Sequence, residues 1–68
     1  MTQFEEMMTD TFSDQLKSAR KTAGLTQQGM AEHTEIPLRT ISDWERGKMT
    51  PPPYVQRLVL KELERLKF

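Results

Sequence analysis

Arg39, Ser42, Asp43 and Arg46 put hydrogen-bonding groups at intervals of three and four residues, the spacing that brings side chains to one side of an α-helix. A guanidinium with parallel donors, a hydroxyl and a carboxylate on one face suit recognition of donors and acceptors on another molecule. Groups for making and breaking bonds are sparse. His33 is the single histidine and there is no cysteine, so a thiolate metal site and a disulfide lack members, and His33 as a metal ligand or a base has no second His or Cys beside it. An exposed helix residue is the expectation for His33. Glu62 and Glu64 lie among Lys61, Arg65 and Lys67, which reads as a solvated face and not as a pair of catalytic carboxylates. The five methionines read as gap-fillers in a small core. No enzyme, no metal and no cofactor are expected.

The recognition row needs a scaffold, and 68 residues supply one domain at most, burying roughly 60% of the surface its unfolded chain exposes. With 35% hydrophobic and 29% charged residues the chain reads as globular, neither disordered nor of low complexity. Phe12, Leu16, Ala19 and Ala23 fall on one helical stripe and predict a first helix over 12–23, opened by Thr11 with Asp14 three residues on and stopped by Gly24. Thr26 predicts the N-cap of a short second helix over 27–34, weakened by Gly29 at a cost of ~1 kcal/mol relative to Ala. Pro37 makes Ile36 extended and starts a third helix over 37–46, with Gly47 as its cap, so Glu35 and Ile36 form a tight turn. On a helical wheel Ile41 and Trp44 point to one side, with Pro37, and Leu38, Arg39, Ser42, Asp43 and Arg46 to the other. A fourth helix starts at the prolines of 51–53 and runs to about residue 67. Its expected inward stripe is Val55, Leu58, Val59, Leu63 and Leu66, with Leu60 left outside as surplus apolar surface.

Net charge is zero, but it is unevenly placed. Glu5, Glu6, Asp10 and Asp14 fall in the first fourteen residues, which hold no Lys or Arg, leaving ten basic and six acidic residues over 15–68. That is a balance of +4 over 15–68, and an acidic leader over 1–11, with Phe4, Met7 and Met8 at helix-like spacing, is set apart from a domain over 12–68. No basic segment opens the chain as a secretory signal would, and no apolar run approaches the ~18 residues of a membrane span. The expectation is a cytoplasmic protein with no membrane partner.

The stretch from Leu16 to Pro51 resembles the Cro and phage-repressor type of helix-turn-helix domain, which is also found in plasmid regulators and antitoxins. The residues that carry the resemblance are Leu16, Arg20, Gly24-Leu25-Thr26-Gln27-Gln28, Met30-Ala31-Glu32, Ile36, Arg39 to Lys48 and Pro51, with Trp44 to Lys48 followed by proline and Tyr54 marking a subgroup. The pattern has a physical sense of its own. Ala31 is small where the second helix must approach the third, and Met30, Ile36, Ile41 and Trp44 fill the wedge between them. A helix so presented fits the major groove of B-DNA, where each base pair shows a distinct set of donors and acceptors.

The resemblance implies an all-α, compact, lambda-repressor-like domain of four helices, or five should the leader also be helical. It implies a sequence-specific transcriptional regulator of repressor type that binds double-stranded DNA, as a homodimer, with helix 37–46. Base-reading roles fall on Leu38, Arg39, Ser42 and Asp43, phosphate contacts on Gln27, Thr40, Lys48 and Thr50, and a buried structural ion pair on Arg20 and Glu45. Departures from the family pattern are Glu35, where the turn usually has glycine, and Thr34, where an apolar residue usually ends the second helix. The alternative is an antitoxin-like module that keeps the fold and binds a protein through the leader or the fourth helix. A DNA-bending role lacks the aromatic wedge and basic wings it would need. Leu60, Leu63 and Phe68 are the expected dimer surface.

Overall fold

Backbone groups at helix ends need partners, and the sequence supplies them locally. Thr11 is extended, with its hydroxyl oxygen accepting the Asp14 N–H at 3.3 Å, and starts α1 (Phe12–Thr22). Beyond Ala23, Gly24 takes φ 80°, and its N–H and that of Leu25 return to the carbonyls of Lys21 and Arg20, the reciprocal pair that closes a helix on a left-handed residue. Thr26 caps α2 (Gln27–Thr34) by accepting the Gly29 N–H at 2.9 Å. Helix α3 (Leu38–Glu45) lies one residue inside the expected range at each end, with Pro37 and Arg46 as its caps, and Gly47 repeats the left-handed closure at φ 75°. Pro52 and Pro53 open α4 (Pro53–Arg65), where a missing N–H costs nothing.

The computed structural model of the chain describes residues 11–66. The acidic leader with Phe4, Met7 and Met8, and Phe68 as part of a dimer surface, lie outside the described residues. Among those described, four helices and no strands make up the fold.

Each helix contributes one side chain with no access to water: Leu16 from α1, Met30 from α2, Ile41 from α3 and Leu63 from α4. Removing such a side chain from water is worth about 1.5–3 kcal/mol. Phe12, Ala23 and Val59 complete the buried hydrophobic core, and Trp44 meets the Phe12 ring edge-on, centroids 5.9 Å apart at 73°. Helix α1 packs on both α3 and α4, and α2 packs on α3.

The orientation of α4 corrects the expected stripe. Leu58, expected inside, is 63% exposed, and Leu60, expected as surplus surface, is half-buried against the core. The two positions lie about 100° to either side of Val59 on an ideal helix, so periodicity treats them alike. Helix α1 breaks the symmetry: Ala19 and Thr22 flank Leu60 in the groove between α1 and α4.

Candidate nucleic-acid interface

Helix α2, its turn and α3 form a unit whose angle is set by three local devices. Glu35 adopts the left-handed conformation, φ 63° and ψ 18°, at the end of α2, and its N–H bonds the Ala31 carbonyl at 2.8 Å. A side chain with a Cβ is strained there by about 1–2 kcal/mol. Thr34 offsets part of that strain, donating its hydroxyl to the Met30 carbonyl at 2.7 Å and accepting the Ile36 N–H at 3.3 Å. Those two bonds explain a polar residue where an apolar one was expected. Ile36 then packs on the core and Pro37, at ψ 139°, turns the chain into α3.

A polar hub fixes α3 against the rest. Arg20 donates from Nε to Glu45 Oε2 at 2.7 Å and from Nη2 to Glu45 Oε1 at 3.1 Å, a bidentate pair, while its Nη1 bonds the Leu25 carbonyl at 2.9 Å. Gln27 adds a bond from Nε2 to Glu45 Oε1 at 3.0 Å. The side chains of Arg20 and Glu45 are 12% and 3% exposed. No buried side-chain nitrogen or oxygen among the described residues is left without a partner, the condition under which a buried ion pair is tolerated. One carboxylate therefore joins the end of α1, the start of α2 and the end of α3.

The hub leaves a solvent-facing side on α3. Leu38 is 44% exposed, Arg39 is exposed, Ser42 is half-buried, and the Arg46 side chain is 64% exposed. Asp43 departs from expectation. Its side chain is 10% exposed and Oδ1 accepts from Arg46 Nη2 at 3.1 Å, so it is not an open member of the row. The wheel places Asp43 near Arg39 but contains no account of the chain beyond Gly47. There the Lys48 and Met49 amides fold back to the Asp43 carbonyl, at 2.9 and 3.4 Å, across the last turn of α3.

Of the other expected contact residues, Lys48 and Thr50 are exposed in the loop after α3, and Thr40 is half-buried in its first turn. Gln27 sits at the first position of α2, where one N–H of its amide is taken by Glu45 and the second stays available. Exposed cations of this side are Arg39, Arg46 and Lys48, while Glu32 and Glu35 are exposed at the far end of α2. Arg46 was placed on the recognition face by the sequence, seven residues or two helical turns after Arg39, but was given no base or phosphate contact. On α4, the hydrogen bond from Arg65 holds the Glu62 carboxyl below the usual carboxylate range. Among the described residues no group of three His, Cys, Asp or Glu side chains could hold a metal ion, and no helix is long and apolar enough to cross a membrane.

Comparison with known proteins agrees with this geometry. No solved structure matches the chain. It is 33% identical over 61 residues to Repressor protein C of Escherichia phage P2, an alignment covering 90% of this chain and 62% of that protein, so the chain spans under two thirds of that relative's length. The model of the helix-turn-helix family matches residues 16–64, which take in the buried core apart from Phe12, the Arg20–Glu45 hub and both helices of the unit. The chain belongs to the helix-turn-helix family.

Proposed function

We propose that the chain is a sequence-specific, DNA-binding transcriptional regulator of repressor type, acting in the cytoplasm and reading the major groove with α3. The observation that carries this is the Arg20–Glu45–Gln27 hub, which holds α3 rigidly from behind while Leu38 and Arg39 stand open in its first turn. Helix-turn-helix domains set the N-terminal part of that helix deepest in the groove. Arg39 has the two parallel donors that match guanine O6 and N7, Leu38 packs on a thymine methyl, and Ser42 takes either a donor or an acceptor. Around them the second N–H of the Gln27 amide, Thr40, Lys48 and Thr50 contact phosphates, with the first-turn N–H groups of α2 oriented by its dipole. The similarity to a phage repressor supports the repressor role, and a homodimer on a two-fold symmetric site is the form that presents two reading helices one DNA turn apart.

Selection of bound sequences from random duplexes at low salt tests the proposal, with enrichment of a palindrome as the expected result. Arg39→Ala then relaxes preference at one guanine, costing ~1–3 kcal/mol there. Lys48→Ala weakens all sequences alike and lowers the salt slope by ~0.9. No enriched sequence at low salt refutes the proposal, and uniform weakening by Arg39→Ala refutes the assignment of the reading face.

A further inference from the structure

Helix electrostatics and desolvation both disfavour Asp43 where it stands, and its i,i+3 pair with Arg46 offsets them. It lies in the last turn of α3, where the partial negative charge of the helix end disfavours an anion. Its side chain is 10% exposed, so the carboxylate has also lost most of its water. Its partner is the guanidinium of Arg46, whose side chain is 64% exposed. A nearly buried acid bonded to an exposed base holds the base in one place.

That place has a direction. Arg46 lies at the C-cap of α3, and a bond to the residue three positions earlier draws its guanidinium back along the helix by about one turn, towards Arg39. The carboxylate also offsets part of the guanidinium charge, which weakens attraction to a phosphate. It takes one N–H of Nη2 and leaves four of the five guanidinium N–H donors, on a group tethered at one side, for a paired acceptor on a base edge. We infer that Arg46 is a second base-reading side chain of α3, directed at a guanine distinct from the one read by Arg39, and that Asp43 is its positioning residue. This rests on the proposal that α3 reads the major groove.

The experiment uses the full chain and the palindrome selected by the wild type, with every single-base variant titrated at several salt concentrations. Arg46→Ala and Arg46→Lys both relax preference at one and the same base pair, by about 5- to 150-fold, because lysine keeps the charge and loses the fork. Asp43→Asn relaxes that same base pair and no other, and adds little when combined with Arg46→Ala. Urea unfolding followed by Trp44 fluorescence verifies that each variant is folded under the binding conditions. If Arg46→Lys binds as the wild type does, or Arg46→Ala weakens all sequences alike with a lowered salt slope, Arg46 is a phosphate anchor and the inference fails while the groove-reading proposal stands. An Asp43→Asn variant with unchanged preferences overturns the positioning role. A wild type that selects no sequence overturns both.

Discussion

Replacing Glu45 with alanine tests whether the hub, as well as the apolar core, holds this domain together. The carboxylate is the shared acceptor of three bonds, two from Arg20 at 2.7 and 3.1 Å and one from Gln27 at 3.0 Å. Without it the Arg20 guanidinium keeps the Leu25 carbonyl and no counter-charge, in a site where the side chain is 12% exposed. Orphaning one charge of a buried pair costs about 3–5 kcal/mol, and the lost bond to the Gln27 amide adds about 1 kcal/mol. A chain of 68 residues has about 3–10 kcal/mol of stability in all. Glu45→Ala is therefore expected to remove about two fifths of it or more. The apolar double variant Arg20→Met with Glu45→Leu removes both charges and is expected to recover most of the loss, because the penalty belongs to the unpaired charge. Urea unfolding, followed by the fluorescence of the single tryptophan, Trp44, and by helical circular dichroism, gives the midpoint and slope for each variant. A Glu45→Ala protein within ~1 kcal/mol of the wild type, or a double variant as unstable as the single one, would refute the reasoning.

Glu35→Gly should raise stability by about 0.5–1 kcal/mol, because glycine removes the left-handed strain at φ 63° and returns part of that gain as unfolded-state freedom; a lower urea midpoint would show that the glutamate side chain contributes more than its backbone costs. Leu58→Glu should be neutral to within ~0.5 kcal/mol at monomer concentrations, since the side chain is 63% exposed. Leu60→Glu should cost about 1–2 kcal/mol, since it packs on the core beside Ala19, and the opposite ranking in thermal melts would mean that α4 is rotated from the orientation described.

What the sequence determined by itself was the set of helices and where each one stops. Thr11 and Thr26 accept the N–H three residues on, Gly24 and Gly47 adopt positive φ, and Pro37 and Pro53 fall where a missing N–H does no harm. These are dealings between a residue and its neighbours within one turn, so they are legible from the order of residues. The central apolar positions Leu16, Ile41, Val59 and Leu63 were legible for the same reason, since any packing that buries a helix stripe buries its middle. The edges of the stripes were not. Leu58 and Leu60 are equivalent by periodicity, and the side on which α1 lies decided between them. Asp43 falls on the outward face of the wheel, yet its side chain is 10% exposed, and Gln27 was an open amide until Glu45, eighteen residues later, came within 3.0 Å. Exposure at the margin of a helix face depends on which other segment arrives there, and that is a property of the whole packed chain.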